Sequence, residues 1–197
     1  MQTIASCLQQ SHERYRFIVS DNSTQSAAVS ALSEFCGLQR SPVLDYLRPP
    51  RPLRMAEHWQ WALTEVLSDP ANGHVIVATD RMLFYQGILT EFADLTLAHS
   101  QSVITFNNDS IIDFELPYRI SRKPWTGRIH RLSSAKFLEH SARMRGLYLV
   151  PKLLNCVVPR AVLERVAQHF CNFCVSLSPD YAFAYRCLSV EDLFLMF

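Results

Sequence analysis

Glycine is scarce: the chain has five in 197 residues. It contains no Gly-x-Gly-x-x-Gly and no Gly-Lys-Ser/Thr, which excludes the glycine-rich phosphate cradles of dinucleotide-binding and P-loop enzymes. The Gly-x-Ser-x-Gly elbow of the α/β hydrolases is missing as well. Charge of one sign is equally short, with 19 Lys and Arg against 18 Asp and Glu and a net charge of +1. No global field therefore draws the chain to nucleic acid or to an anionic membrane. The absence of helix-turn-helix, ribonucleoprotein and zinc-finger patterns removes nucleic acid as an expected partner.

Long apolar runs are absent too. Stretches such as His74-Val-Ile-Val-Ala-Thr-Asp80 are bounded by polar residues and fall far below the roughly 18 residues of a spanning helix, so no transmembrane segment is expected. The stretch from Met1 to Gln10 has no basic n-region and no extended apolar h-region, which points to a cytoplasmic, reducing setting. The six cysteines are scattered, with one close pair, Cys171 and Cys174. No second Cys/His pair follows at finger-like spacing, so they read as structural thiols rather than as a zinc or redox pair.

What the chain does have is apolar mass, with 49% hydrophobic residues, enough for one well-filled core. No repeat or flexible linker divides it, and the stiff piece Arg48-Pro-Pro-Arg-Pro-Leu-Arg54 is too short to separate domains. The expectation is one domain over residues 1–197.

Residues 14–20 alternate and then turn wholly apolar, as a strand entering a buried sheet does. Asp21-Asn-Ser-Thr follows, then apolar positions Ala28, Val29, Leu32 and Phe35 at helical spacing over 25–38. The unit recurs: a strand at 43–47 and a helix at 55–67, then a strand at 75–79 and a helix at about 87–97. That order predicts an α/β fold with a mainly parallel central sheet in three layers. Strands at 102–106 and 111–116, helices at 133–143 and 159–169, and a helix opening at Asp180 follow. Ser189 with Asp192 three residues on suggests one more helix start. A parallel sheet normally has a further strand before a helix such as Ile4 to Gln10, so either this fold dispenses with that strand or the domain is truncated at its amino end, the latter being the expectation. Apolar residues at both ends would pack back or cover an open sheet edge in a homo-oligomer.

In such folds ligands sit beyond the carboxyl ends of the strands. Asp21 and Asn22 stand there, able either to face a ligand or to cap the 25–38 helix. Asp80 and Arg81 stand at the end of the 75–79 strand, as a diphosphate site or a plain surface pair; the Arg81 guanidinium would hold phosphate oxygens directly. Asp180 follows Pro179 and could take a proton from a hydroxyl or cap its helix. Arg48, Arg51 and Arg54 form one basic cluster, and Arg119, Arg122, Lys123, Arg128 and Arg131 a second, suited to a phosphorylated ligand. Trp59 and Trp61 flank Gln60, so one reads as core and the other as an edge of the crevice, while Trp125 reads as a stacking platform or a loop anchor. His58 and His130 read as structural.

These segments together resemble the family 2 glycosyltransferases, which are inverting and use nucleotide sugars. The likeness runs through Phe17-Ile-Val-Ser-Asp-Asn-Ser-Thr24, Pro52-Leu-Arg-Met-Ala-Glu-His-Trp59, Val75-Ile-Val-Ala-Thr-Asp80, Leu154-Asn-Cys-Val-Val-Pro-Arg-Ala-Val-Leu163 and Leu177-Ser-Pro-Asp-Tyr181. It implies a nucleotide-diphospho-sugar transferase (GT-A) fold and sugar transfer from a nucleotide-diphosphate donor to a glycan, lipid or small-molecule hydroxyl. By the same likeness Asp21 contacts the base, Asp80 opens the acidic metal motif and Asp180 is the general base; Asn22, Arg54 and Arg81 join the expected donor site through their placement beside these residues. Magnesium or manganese would sit at Asp80. The family carries two or three acidic residues where this chain has Thr79-Asp-Arg-Met82, which predicts weak metal dependence. The alternative is a catalytically degenerate or truncated relative acting as a binding or interaction module.

Overall fold

A computed structural model of the chain describes residues 1–12, 14–112, 116–117, 119–123, 127–145, 150–175 and 177–197. Its first half is built from helix α1 (Gln2–Leu8), strand β1 (Phe17–Ser20), α2 (Ser26–Gln39), β2 (Leu44–Leu47), α3 (Met55–Ser68), β3 (His74–Ile76) and α4 (Ile88–Ala98). The second half adds β4 (Val103–Thr105), β5 (Ser110–Ile112), β6 (Arg119–Ser121), β7 (His130–Ser133), α5 (Ser134–Ala142), β8 (Cys156–Pro159), α6 (Arg160–Phe170), α7 (Pro179–Val190) and β9 (Leu193–Met196). No helix among the described residues is long and apolar enough to cross a membrane.

Local chemistry accounts for several boundaries. Gly87 precedes α4 at φ 84°, a left-handed conformation that costs a residue without a Cβ little. Pro159 and Pro179 stand at the starts of α6 and α7, where the missing N–H has no helical partner to lose. Ser133 caps α5 by accepting from the Lys136 N–H at 3.4 Å.

The strands form a parallel pair β1-β2, a five-stranded sheet in the order β3-β8-β4-β9-β7, and a β5-β6 hairpin. The expectation of a mainly parallel sheet is corrected here. In the five-stranded sheet only β4 and β9 run parallel, while β8 is antiparallel to both of its neighbours and β7 is antiparallel to β9. The cause is β8, which inserts between β3 and β4 and runs against them. The helix expected near Ser189 is also corrected: α7 ends at Val190, and the next residues enter the sheet as β9. Phe194 and Leu195 are 1% and 2% exposed there, and burying two large side chains in a sheet outweighs a local capping signal.

The main core lies between the five-stranded sheet and helices α3, α5, α6 and α7, with Phe183, Val162, Leu163 and Val166 fully enclosed. A second cluster packs α4 on the other face through Phe92, Phe106 and Leu195. A third joins α1, β1 and α2 through Ile4, Val19 and Cys36. Helix α1 is tied to the segment after β3: Thr3 Oγ1 donates to the Thr79 carbonyl at 3.3 Å, and Gln10 Nε2 donates to the Tyr85 carbonyl at 3.0 Å.

Candidate functional site

A cavity of about 980 Å³ separates β1 from β3 and is walled in part by α1, α3 and α4. Voids larger than a water molecule are few in a packed interior, so this volume is a distinct feature of the fold. Its walls are apolar along the strands and polar beyond both ends of them: His12, Arg14, Arg16 and Asn72 line it ahead of β1 and β3, and Ser20, Ser23, His58, Thr79 and Asp80 line the margin at the other end.

Ser20 and His58 meet across it. The Ser20 hydroxyl and His58 Nε2 are 2.7 Å apart, and the His58 ring stacks on Trp61 at 6.2 Å and 17°. Burial lowers the His58 pKa below its ordinary 6.5, against a smaller upward pull from the Asp21 charge, so the ring is neutral at pH 7. Trp59, one residue on, lines the cavity and packs on the main core.

Asp21 lies directly behind this rim and is 3% exposed. Its Oδ1 accepts from the Ser23 N–H at 2.8 Å and its Oδ2 from the Tyr46 hydroxyl at 2.6 Å, with Arg48 Nη1 3.7 Å away. Burial alone would push its carboxyl up, but the hydrogen bonds from Ser23 and Tyr46 and the Arg48 charge together hold it below 3.8. Arg48 also donates to the Ser23 carbonyl at 2.8 Å, which fixes the loop from a second side. Asn22 turns the other way: its amide donates to the Leu53 carbonyl and accepts from the Leu53 N–H, both at 2.8 Å. Neither residue caps α2, whose N-cap is Gln25 with no side-chain hydrogen bond.

The sequence-derived residues thus separate into two groups. Asp80 is exposed and lines the cavity, the one carboxylate among the described residues that do so. Asn22, Arg54, Arg81 and Asp180 are not among the described lining residues. Arg54 stands at the N-cap of α3, where its backbone N–H donates to Glu57 Oε2 at 3.2 Å. Arg81 is exposed, with its N–H 3.4 Å from Thr79 Oγ1. Asp180 lies in the first turn of α7. Arg51 is exposed and Arg48 belongs to Asp21, so the proline-rich cluster supports the loop rather than acting as a unit. Trp125 lies outside the described residues. All six cysteines are free, with Cys171 exposed and Cys174 buried.

His58 is the rim residue that pattern reading passed over. Nothing in a helical period joins it to Ser20, which is 38 positions away.

No protein-family model and no curated protein matches this chain.

Proposed function

We propose that the margin of this cavity binds a nucleotide-diphosphate sugar and that the chain transfers the sugar, with inversion, to a hydroxyl acceptor on a GT-A type scaffold. One observation carries the reading: the polar groups that follow β1 and those that follow β3 open on the same hollow, the position where ligands collect in α/β sheets. The segment likeness noted above supplies the reaction class.

In this reading Ser20, Ser23 and His58 meet the nucleoside while Asp21 holds their loop from behind. Asp80 would be the protein's ligand to a magnesium or manganese ion, which would supply positive charge against the diphosphate. Arg81 adds positive charge against the leaving group. Asp180 removes the acceptor proton as the acceptor oxygen bonds to the anomeric carbon. The bond from that carbon to the diphosphate breaks on the opposite face, and the nucleoside diphosphate leaves with the electron pair.

Calorimetric titration with a panel of nucleoside diphosphates tests the binding half, and donor turnover with chelator, magnesium or manganese tests the chemistry. Asp180→Asn is expected to lower turnover at least a hundredfold with donor affinity unchanged; an unaltered rate rejects Asp180 as the base. A second reading, a binding module without turnover, is favoured by the placing of Asp180 away from the described cavity wall. Tight nucleotide binding with no product under any metal condition selects it.

A further inference from the structure

Strand β7 bounds the five-stranded sheet on the side away from the cavity. It pairs only with β9, so among the described residues its outer edge has no strand. The register shows which backbone groups stand on that edge. Ser134 lies opposite Asp192 and donates its N–H to that carbonyl at 2.9 Å. Hydrogen-bonded pairs alternate along an antiparallel ladder, so His130 and Leu132 also turn their backbone groups to β9. Arg131 then turns its N–H and C=O outward, and Ser133 its N–H.

A cleft of about 440 Å³ runs along this edge, with Arg131, Leu132 and Ser133 lining it from the strand and Lys136, Phe137 and His140 from helix α5. Lys136 and His140 are exposed and stand one turn apart on the same helix face. Leu132 and Phe137 pack on the main core, so in the pleat the exposed Arg131 side chain projects from the opposite face of the sheet. Among the described residues no carboxylate lines the cleft, and the three basic side chains make no ion pair or side-chain hydrogen bond. Glu139, the acid of α5, is taken up by Arg143 at 2.9 Å.

An open edge flanked by basic side chains, with no acid in its cleft, has a definite complement. We infer that β7 receives an extended, acidic segment of a partner protein, which adds to the sheet as a further strand. Its backbone takes up the Arg131 N–H and C=O and the Ser133 N–H. Successive side chains of an extended chain point to opposite faces, so carboxylates on one face meet Lys136 and His140 and those on the other meet Arg131. An apolar residue between them rests on Leu132 and Phe137. Opposite charges paired across strands stabilise and like charges destabilise, so the same edge repels a basic segment. β7 lies four strand spacings from β3, roughly 19 Å. The surface is therefore separate from the cavity and does not depend on what the cavity binds.

The test adds two acetylated peptides, Glu-Val-Glu-Glu-Val-Glu and Lys-Val-Lys-Lys-Val-Lys, to the whole chain. At saturation the acidic peptide is expected to slow amide hydrogen exchange at Arg131 and Ser133 at least fivefold, and the basic peptide is expected to leave both unchanged. Methylating every backbone nitrogen of the acidic peptide removes its ladder donors and is expected to abolish the slowing. Lys136→Glu combined with His140→Glu is expected to weaken the acidic peptide at least tenfold and to let the basic one bind, a gain that misfolding cannot produce. No slowing by the acidic peptide, equal binding of the two peptides, or an unaltered preference in the double variant overturns the inference. If that variant does not fold, Lys136→Gln with His140→Gln must still weaken the acidic peptide severalfold, and failure there overturns it too. Inorganic phosphate that displaces the acidic peptide, together with a methylated peptide that binds as well as its parent, would make the cleft a small-anion site and reject strand addition.

Discussion

The Ser20 hydroxyl and His58 Nε2 stand 2.7 Å apart across the margin of the cavity, joining the end of β1 to the first turns of α3. Ser20→Ala leaves an unpaired ring nitrogen in a half-buried site, whereas His58→Gln retains a group able to bond the hydroxyl. Donor affinity is expected to fall severalfold in His58→Ala and to recover in His58→Gln, as measured by calorimetric titration with the nucleoside diphosphate that binds the parent chain. Equal loss in both would assign the ring itself, rather than its hydrogen bond, to binding.

The same imidazole makes stability depend on pH. Burial depresses His58 below 6.5, and it also depresses His74, where a hydrogen bond to the Ser100 carbonyl opposes it in part. A depressed histidine binds its proton later in the folded chain than in the unfolded one. Stability is therefore full above about pH 6.5 and falls as the pH drops toward the folded values. Urea midpoints at pH 7.5 and 5.5 should show this loss, and the double substitution of His58 and His74 by Gln should reduce the difference between them.

Tyr46 is a second point of leverage, because its hydroxyl meets the enclosed Asp21 carboxylate at 2.6 Å. Tyr46→Phe keeps the ring and removes one hydrogen bond to a charge, at an expected cost of about 2 kcal/mol. In Asp21→Asn the same change should cost less, since the charge is gone, and the coupling read from urea denaturation of the four proteins is expected to be positive. The depressed Asp21 carboxyl adds stability above pH 3.8 that disappears as pH falls through its folded value.

Asp80 and Arg81 should part company under a metal titration. Asp80→Ala is expected to remove any gain in donor affinity on adding manganese, while Arg81→Ala is expected to weaken donor binding in chelator and make the metal matter more. A manganese response that survives Asp80→Ala would place the ion elsewhere.

Arg160 locks two helices together. Its guanidinium donates to the carbonyls of Asp69 at 2.8 Å and Leu67 at 2.7 Å, just past and within the last turn of α3, and to Glu164 at 2.7 Å in its own helix. The Asp69 side chain in turn holds Arg16. Arg160→Met should cost about 2 kcal/mol in urea denaturation, and Arg160→Lys, which cannot fork to two carbonyls, should recover less than half of it.

Much of the first half could be read from residue order. The helix expected over 55–67 is observed as Met55–Ser68, and that over 25–38 as Ser26–Gln39, because each has an apolar stripe at helical period bounded by polar or proline-rich residues. The parallel pairing of β1 with β2 follows from the same strand-helix-strand order. Cys156–Pro159 was not legible as a strand. Its neighbours Leu153 and Leu154 extend one short apolar run, and periodicity alone cannot divide such a run between helix and strand. β9 was hidden by a capping pattern that the sheet overrides. At the margin, Asp80 was legible as a polar group after an apolar run, although the strand expected over 75–79 is observed as His74–Ile76 and stops four residues before it. His58 did not, since its meaning comes from a contact with Ser20 that no local pattern records. Asp21 was legible as a polar group at a strand end, but not as one whose carboxylate is taken up by Ser23, Tyr46 and Arg48.

The place of β9 between β4 and β7 has a consequence for biosynthesis. Both neighbours leave the ribosome well before Leu193, so the nascent sheet stands open at this position while α5, α6 and α7 are being made. Its exposed edges are then a point at which a chaperone, or another unfinished copy, can engage the newborn chain.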